Sequence, residues 1–369
     1  MIYLDSAATT LEKPPSVARA VARAIGTIAS PGRGGHQPGM AAAELMYRCR
    51  ELAADLFQAP DPDHVVLTNN ATHGLNLAIH ALVRRGSRVL ISGYEHNAVT
   101  RPLAARQAEV VVAAAPLFQS AQSYQAFAHH LEQGVDVVVC NHVSNVFGWR
   151  QPVEEIAQLC RRYGVPLIVD ASQSAGILPI RCAAWGAAFV AMPGHKGLYG
   201  PQGTGLLLCG REGRPLLFGG TGSNSLSQEM PDFLPDRLEA GTPNVCGAAG
   251  LLEGMRFVKE RGEAEIFRHE RRLCQRMAQG LEGCKAIRTY TGPDQCGVLS
   301  FTAEGWDCEE LAEQLGRQGI AVRAGLHCAP LAHRSAGTLE RGTVRLSVSA
   351  FTRAWQVDQA VERIVALSR

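Results

Sequence analysis

Asp136-Val137-Val138-Val139-Cys140 and Pro166-Leu167-Ile168-Val169-Asp170 are two apolar runs separated by an amphipathic segment at 153–163. Runs of this length that are rich in β-branched residues predict buried strands, and the segment between them has the periodicity of a helix. A strand, a helix and a second strand in this order form a unit whose two strands are parallel. The stretch therefore predicts an α/β fold on a mainly parallel sheet that is buried on both faces.

The same alternation continues on both sides of this stretch. Further strands are predicted at 64–67, 88–91, 109–113, 187–191 and 204–209, and helices at 72–83, 98–106 and 124–133. From about residue 248 the pattern changes to long helices, at 248–261, 265–281 and 308–318, with strands at 297–302 and 344–349. That change predicts a smaller α+β domain. We expect a large domain of residues 14–247 and a small domain of residues 1–13 plus 248–369, with long ordered loops at 32–39 and 213–243.

Composition excludes several classes of protein. The 369 residues carry 36 Lys plus Arg against 34 Asp plus Glu, so no basic field indicates a nucleic-acid partner. No apolar run is long enough to span a membrane. The sequence starts Met1-Ile2-Tyr3-Leu4-Asp5, without the basic start of a signal peptide, so we expect a cytoplasmic protein. The 11 cysteines include no C-x-x-C pair, so we expect no metal site and mostly buried, reduced thiols.

The residues that follow the predicted strands are the candidates for chemistry, because ligands of an open parallel sheet bind beyond its carboxyl ends. Ala71 and Thr72 begin a helix after the first of these strands. Free N–H groups at a helix start, with a hydroxyl beside them, suit a phosphate. The alternative is that Thr72 is an ordinary N-cap.

Two further strand ends carry an acid and a lysine. Asp170 closes an apolar strand, where it either caps a helix or meets a cation such as a protonated pyridine nitrogen. Lys196 lies in the glycine-rich turn Gly194-His195-Lys196-Gly197 between two strands. Pyridoxal phosphate needs this set in one site: a lysine for its aldehyde, a carboxylate for its ring nitrogen and an anion site for its phosphate.

The sequence resembles the class V aminotransferase family of fold-type I pyridoxal-phosphate enzymes, and within it the group II cysteine desulfurases and selenocysteine lyases. The resemblance runs nearly end to end. The segments that carry it are Tyr3-Leu4-Asp5-Ser6-Ala7-Ala8-Thr9, Glu95-His96, Ser144-Asn145, Val169-Asp170-Ala171-Ser172-Gln173, Gly194-His195-Lys196, Glu239-Ala240-Gly241-Thr242-Pro243-Asn244, Arg323-Ala324-Gly325-Leu326-His327-Cys328-Ala329-Pro330 and Arg345. Two departures from the family pattern are Pro193, where many relatives carry a phosphate-binding Ser or Thr, and Leu326, where several carry a histidine.

The resemblance implies a role at the cofactor for each matched residue. Lys196 would carry pyridoxal phosphate, Asp170 would hold the pyridine nitrogen and Gln173 would meet the ring hydroxyl oxygen. His96 would stack on the ring and move protons. The other cofactor-binding positions would be Ala71, Thr72, His195 and Thr242.

The resemblance also implies substrate contacts and a homodimer. Arg345 would bind the substrate carboxylate through its guanidinium fork, and Asn145 would orient substrate and cofactor. Arg323 would be a further substrate contact, or else a cation that stabilises its loop. The family builds its active sites at the subunit interface. The residues that could reach the partner subunit's site are Thr242, Arg33 and His36.

Cys328 lies in a segment with Gly, His and Pro rather than in a predicted helix or strand. The resemblance implies conversion of L-cysteine to L-alanine, with the sulfur taken up as a persulfide on Cys328. His327 and Arg323 could favour the thiolate as cationic neighbours, although His327 could instead bond to the backbone. L-Selenocysteine would be a second substrate, and a separate protein could accept the sulfur for uses such as iron–sulfur cluster assembly.

Two other functions remain open from the sequence. Another class V pyridoxal-phosphate enzyme, such as an aminotransferase, an epimerase or a kynureninase-like lyase, would need no nucleophilic thiol. A non-catalytic sulfur-carrier scaffold would need none of Lys196, Asp170 and Arg345, and the presence of all three argues against it.

Overall fold

The structure is a computed structural model that describes residues 1–32 and 35–368. Arg33, named above as a candidate for contact with a partner subunit, lies outside the described residues. The helices are α1 (Pro15–Thr27), α2 (Gln37–Phe57), α3 (Ala71–Leu82), α4 (Asn97–Ala105), α5 (Ser120–Glu132), α6 (Val153–Tyr163), α7 (Cys182–Trp185), α8 (Val245–Arg261), α9 (Glu263–Glu282), α10 (Cys308–Arg317), α11 (Pro330–Ala336) and α12 (Ala354–Leu367). The strands are β1 (Ile2–Tyr3), β2 (Val65–Thr68), β3 (Arg88–Ser92), β4 (Glu109–Ala113), β5 (Val137–Asn141), β6 (Leu167–Asp170), β7 (Phe189–Pro193), β8 (Gly205–Cys209), β9 (Ile287–Tyr290), β10 (Val298–Ala303), β11 (Ile320–Ala321), β12 (Arg323–Gly325) and β13 (Thr343–Ser347).

The large sheet has seven strands in the order β2-β8-β7-β6-β5-β3-β4. The five strands from β7 to β4 are parallel, and only β8 runs antiparallel to both of its neighbours. The prediction of an α/β fold on a mainly parallel sheet is confirmed. The register places Asn141 opposite Asp170, so the last residues of β5 and β6 lie side by side at the carboxyl edge.

Both faces of this sheet are buried because successive strand residues point to opposite sides. Leu167 and Val169 belong to the core under one face, whereas Ile168 belongs to the core under the other. Helices cover both faces, as a parallel sheet with apolar side chains on each side requires.

The second sheet is antiparallel, with the order β12-β13-β10-β9, and packs against α9 and α12. The short strand β1 pairs in parallel with β11, which attaches the N-terminal residues to this part of the chain. Helix α8 crosses the expected domain boundary at 247/248, and its residues as far as Met255 pack in a core of the large sheet. The division into two domains stays a prediction.

The sequence analysis did not predict helices α1 and α2. The position of α2 also shows that the loop predicted at 32–39 is partly wrong. The stretch 32–39 is not wholly a loop, because α2 begins at Gln37 with the His36 side chain accepting a hydrogen bond from the Gly39 N–H. Within residues 1–32 and 35–368, no helix combines the length and the apolar character that crossing a bilayer requires.

A buried ion pair anchors the long loop at 210–244, which contains neither helix nor strand. Both guanidinium NH groups of Arg50 in α2 donate to the two carboxylate oxygens of Glu239, at 2.7 and 2.9 Å. The backbone N–H of Leu67 donates to the same carboxylate at 2.6 Å. Glu239 therefore fixes the end of the loop against α2 and the edge strand β2.

Breaking this pair should destabilise the protein strongly. We expect Glu239→Ala to lower the free energy of unfolding by about 3–5 kcal/mol, because the Arg50 guanidinium would remain buried without its partner. Asp55→Ala, which removes an exposed partner of Lys259, is the matched control and should change the free energy of unfolding by about 1 kcal/mol or less. Urea unfolding monitored by circular dichroism measures both, and equal effects would contradict the anchoring role of Glu239.

Candidate active site

The carboxyl ends of the parallel strands open into a cavity of about 100 Å³. It lies where the sequence analysis placed a ligand. Its lining consists of Asn70, Ala71, Thr72, His96, Ala98, Asn141, Val143, Asn145, Asp170, Ser172, Gln173, Pro193, His195 and Lys196. Eight of the predicted site residues are therefore brought together in one place.

The N-terminus of α3 forms one side of the cavity. Asn70 is the N-cap, and its side-chain oxygen accepts the N–H of His73 at 2.9 Å. The alternative of an N-cap at Thr72 is therefore wrong, and Thr72 lies in the first turn. The N–H groups of Ala71 and Thr72 have no acceptor within the helix, so they are free to bind an anion.

Asp170 ends β6 beneath the cavity and is buried. Its Oδ1 accepts hydrogen bonds from the N–H and the hydroxyl of Ser172, at 2.9 and 2.5 Å. Gln173 follows in the same turn, and its side-chain amide donates to the Ala7 carbonyl at 3.0 Å. The turn therefore presents an oriented carboxylate and an amide to the same space.

Lys196 occupies the turn after β7. Burial lowers the pKa of Lys196 to about 8, while the nearby Asp170 raises it and Arg345 lowers it. An amine with this pKa is deprotonated in a useful fraction near neutral pH, as a nucleophile or base must be. His195 contacts Thr9 Oγ1 through Nδ1 at 3.0 Å, and burial lowers its pKa to about 4, so its ring is neutral.

His96 is the N-cap of α4. Its Nδ1 accepts the N–H of Ala98 at 3.0 Å, which places the ring proton of the neutral form on Nε2. Burial lowers the pKa of His96, so the neutral ring dominates at physiological pH. The ring lines the cavity with a defined orientation and tautomer.

Asn145 connects the cavity with the buried Arg345. The Arg345 guanidinium donates to the Asn145 carbonyl at 2.9 Å and to Asp5 Oδ1 at 2.7 Å. The Asn145 side chain donates to the His327 carbonyl at 2.8 Å, whereas its own Oδ1 is buried without a hydrogen-bond partner. Arg345 lies behind Asn145 rather than in the cavity lining, and its charge is already paired with Asp5.

Four predicted residues lie outside the cavity lining: Arg345, described above, Cys328, described below, and Arg323 and Thr242. Arg323 is exposed in β12 and stands opposite Arg345 in the antiparallel pair, which places two guanidinium groups on neighbouring strands. Thr242 is exposed and lines a separate cavity of about 120 Å³ beside Asn69. Within one chain, Thr242 therefore lines a different cavity from Lys196, whereas the charge of Arg323 still acts on Lys196 and lowers its pKa.

Cys328 lies in the short turn between β12 and α11. His327 and Cys328 both have positive φ, at 52° and 55°, a conformation that is strained for residues other than glycine. The turn is held because the Cys328 carbonyl accepts the N–H of Asn97 at 2.7 Å and the His327 carbonyl accepts from Asn145. The thiol-bearing residue is thereby tied to both α4 and the cavity wall while it remains exposed.

His327 does not supply the positive charge suggested above. Its ring is buried, and burial, with Arg345 beside it, lowers its pKa to about 2. Of the two residues expected to favour the Cys328 thiolate, His327 is therefore neutral and Arg323 is the cation. This is a correction to the sequence-based interpretation.

Asn141 and Ser172 are site residues that the sequence analysis did not select. Asn141 ends β5 and lines the cavity, and Ser172 holds the Asp170 carboxylate. Asn141 could have been found, because it follows the run 136–140 directly, as Asp170 ends the next parallel strand. Ser172 gives no signal beyond its proximity to Asp170.

The cysteines differ sharply in exposure, which gives a chemical test. Cys328 is exposed, Cys246 is half-buried and the other nine are buried. We expect iodoacetamide to alkylate Cys328 first in the folded protein, with Cys246 slower and the rest protected until denaturation. Peptide mass mapping over time checks this order, with Cys328→Ser as the control. Early alkylation of a cysteine such as Cys160 would contradict the structure.

Comparisons with known proteins agree with this geometry. A curated probable cysteine desulfurase from Vibrio cholerae is 31% identical, over 99% of this chain and 93% of the relative. Another, from Pseudomonas aeruginosa, is 33% identical over 100% of this chain and 95% of the relative. A solved apo cysteine desulfurase from Thermococcus onnurineus is 29% identical with a TM-score of 0.90, covering 100% of this chain and 94% of that one.

The family assignment rests on nearly the whole chain. The Escherichia coli cysteine desulfurase CsdA is 26% identical, with a TM-score of 0.86 over 100% of this chain and 95% of that one. The family model described as Aminotransferase class-V matches residues 2–360. The match includes the strand ends, the lysine turn and the Cys328 turn described above, and the chain belongs to the class V aminotransferase family.

Proposed function

We propose that this protein is a pyridoxal-phosphate-dependent cysteine desulfurase that converts L-cysteine to L-alanine. The observation that carries the proposal is the turn of Cys328. Cys328 is exposed, and its turn is held by hydrogen bonds from the Asn97 N–H to the Cys328 carbonyl and from the Asn145 side chain to the His327 carbonyl, while Asn145 itself lines the cavity that contains Lys196. An aminotransferase or epimerase has no use for a thiol held at this place.

The residues present fit pyridoxal phosphate. Free N–H groups at the start of α3 suit its phosphate, Asp170 suits its ring nitrogen and Lys196 suits its aldehyde. The unpartnered, buried Oδ1 of Asn145 is left for a hydrogen-bond donor on a bound molecule. Pro193 lines the cavity without an N–H or a hydroxyl, so the phosphate contacts fall to α3 and His195. When bound, the cofactor stabilises negative charge at the substrate Cα.

The side chains then have separate tasks. Lys196 holds the cofactor and, once its amine is free, moves a proton at the substrate Cα, for which a pKa of about 8 is suitable. Arg345 attracts the substrate carboxylate from its place behind Asn145, where Asp5 also holds it, and Asn145 and Arg323 are the neighbouring contacts. His96, with its proton on Nε2, lines the cavity, would face the cofactor ring and could donate that proton. Thr242 contributes to the partner subunit's site.

Cys328 receives the sulfur. Its thiolate forms a bond with the substrate sulfur, the bond from that sulfur to Cβ breaks, and the three-carbon product leaves as L-alanine after Cβ is protonated. The persulfide sits on an exposed turn, from which a protein or small thiol can take the outer sulfur. The same steps apply to L-selenocysteine, so selenocysteine lyase activity is part of the proposal.

A homodimer and a cytoplasmic location complete the proposal. The loop 210–244 exposes the large apolar side chains of Leu217, Phe218, Leu226 and Phe233. Leu217 lines the same cavity as Thr242, and the exposed apolar residues of this loop support a subunit interface at this place. The 11 unpaired thiols support a reducing compartment.

The lysine assignment can be tested without turnover. We expect borohydride reduction of the cofactor-loaded protein to fix a pyridoxyl group on Lys196, because its amine lies in the cavity. Burial lowers the pKa of both Lys196 and Lys13 to about 8, so the position of the amine, and not its pKa, distinguishes the two. Peptide mass mapping identifies the labelled residue. Lys13, a half-buried lysine that bonds to Thr10, is the internal control and should remain unlabelled. A label on Lys13 would contradict the assignment of Lys196 as the residue that carries the cofactor.

The thiol assignment separates the desulfurase from other family reactions. We expect Cys328→Ala to lower L-cysteine desulfuration at least about 100-fold per cofactor-loaded subunit, while L-cysteine still changes the cofactor absorption spectrum. Alanine and sulfide released in the presence of a reductant are measured. The loss with L-selenocysteine should be smaller, because the weaker C–Se bond needs less help from a nucleophile.

Cys246→Ala is the matched control, since it removes the half-buried thiol at the start of α8, which no proposed step uses, and it should retain wild-type turnover. Full desulfuration by Cys328→Ala would show that Cys328 does not accept the sulfur. An aminotransferase or lyase acting on another amino acid would then be the better function.

A further inference from the structure

Glu95 is a fully buried acid for which the function above provides no task. It lies between β3 and His96, with no exposed surface. Among residues 1–32 and 35–368, no lysine, arginine or histidine forms an ion pair with it. A buried, unpaired carboxylate is expensive, so the carboxyl group should be neutral or unusually well solvated by hydrogen bonds.

The hydrogen bonds around Ser92 show which of these holds. Ser92 Oγ lies 2.6 Å from Glu95 Oε1 and 2.9 Å from Asn141 Oδ1. The Asn141 amide donates to the Tyr94 carbonyl at 2.9 Å, which fixes its oxygen toward Ser92. The single hydroxyl proton of Ser92 can therefore reach only one of two oxygens.

A second proton resolves this conflict. If Ser92 donates to Asn141 Oδ1, the short contact to Glu95 needs a proton on the carboxyl oxygen, which then donates to Ser92. Ser92 Oγ also accepts the N–H of Tyr94 at 3.2 Å, and Glu95 Oε1 accepts the N–H of Asn141 at 2.8 Å. Glu95 Oε2 is buried without a partner, as suits the carbonyl oxygen of a neutral acid better than a carboxylate.

We propose that Glu95 is a neutral carboxylic acid whose proton completes the chain from Glu95 through Ser92 to Asn141, and that it thereby positions Asn141 at the floor of the active-site cavity. Asn141 stands opposite Asp170 in the β5–β6 register, so the chain ends beside the carboxylate assigned to the cofactor ring. The positioning role rests on the proposed function, whereas the protonation of Glu95 does not.

The charges that face Glu95 agree with this assignment. The charge comes from Asp170 on β6, and Cys140 on β5 is a further titratable neighbour. Tyr94 and His96 flank Glu95 in the chain, and burial raises the pKa of Tyr94 and lowers that of His96, which keeps both side chains neutral. Burial raises the pKa of Glu95 to about 8, and Asp170 adds to the rise, while the bonds to Ser92 and Asn141 oppose it. Of the two acids in this buried region, Glu95 is then the neutral hydrogen-bond donor and Asp170 is the acceptor. Such pairs of acids with different protonation states are common in active sites.

Infrared difference spectroscopy tests the protonation directly. We expect the spectrum of cofactor-loaded wild type minus Glu95→Gln to show, at neutral pH, the carbonyl band of a protonated carboxylic acid, sensitive to deuterium exchange. Glu155→Gln, a change on the exposed face of α6, should show carboxylate bands only. Carboxylate bands for the Glu95 variant would overturn the proposal, and the result does not depend on which reaction the enzyme catalyses.

Stability against pH is the second measurement. The folded protein holds a proton on Glu95 up to about pH 8, whereas an unfolded glutamate loses it near 4.5, so wild-type stability should fall as pH rises between these values. The unfolding constant of wild type relative to Glu95→Gln should therefore rise by up to about tenfold per pH unit. The same ratio for Glu155→Gln should stay constant. A constant ratio for Glu95→Gln would contradict the neutral acid, whatever the variant's absolute stability.

The positioning role has its own readout. Ser92→Ala breaks the chain between Glu95 and Asn141 while leaving both in place, and we expect it to weaken pyridoxal-phosphate binding about tenfold in a titration followed by absorbance. Ser123→Ala is the matched control, because it removes another buried hydroxyl, bonded to Gln151. Unchanged binding by Ser92→Ala would remove the positioning role. Failure of the wild type to bind the cofactor would instead refute the proposed function and leave the infrared result standing.

Discussion

The buried guanidinium of Arg345 is the constraint on which the geometry of the site depends. A charge removed from water must be paired and hydrogen-bonded, or it costs several kcal/mol. Arg345 meets this requirement with Asp5 from the N-terminal segment and with the backbone carbonyl of Asn145 from the loop that follows β5. Because the Asn145 side chain also bonds to the His327 carbonyl, the same cation fixes the turn that carries Cys328. Three distant parts of the chain are thereby aligned at one point.

The parallel sheet supplies the second half of the site. Strands β5 and β6 end in register, so Asn141 and Asp170 are placed side by side by backbone hydrogen bonds before any ligand is considered. Polar groups at these ends are buried, so their hydrogen bonds must be nearly complete within the protein. The chain from Glu95 to Asn141 satisfies that requirement on β5, and Ser172 does so for Asp170.

The sequence predicted the parts of the site that depend on local pattern. Asp170 and Lys196 are polar residues at the ends of apolar strands, and strand ends can be located from hydrophobic periodicity. The helix start at 71–72 was located too, but its cap is Asn70 rather than Thr72, because both residue types cap helices and a single sequence does not separate them. Asn141 is also a polar residue at the end of an apolar strand, as Asp170 is, but the sequence analysis did not select it.

Long-range pairing set the limit of that prediction. Nothing near Arg345 in sequence indicates that Asp5 neutralises it, since the two are 340 positions apart. The charge of His327 was misjudged for the same reason: its pKa is lowered by burial, which depends on how the whole chain packs. Helices α1 and α2 were missed because the regular strand–helix alternation starts only after them.

The exposure of the thiols follows from these constraints and bears on the proposed chemistry. A sulfur acceptor has to meet a substrate inside the protein and then release its cargo to a molecule outside. A buried thiol can meet the substrate but cannot pass the sulfur to a molecule outside. A thiol on a mobile surface loop can pass the sulfur on but is not held where the substrate binds. The Cys328 turn meets both, because two strained residues lift the side chain outward while their carbonyls stay bonded to Asn97 and Asn145. The other cysteines fill cores or, like Cys246, a helix start, where no such anchoring to the cavity exists in the described structure. The position of one thiol, rather than the number of thiols, is therefore what suits this chain to sulfur transfer.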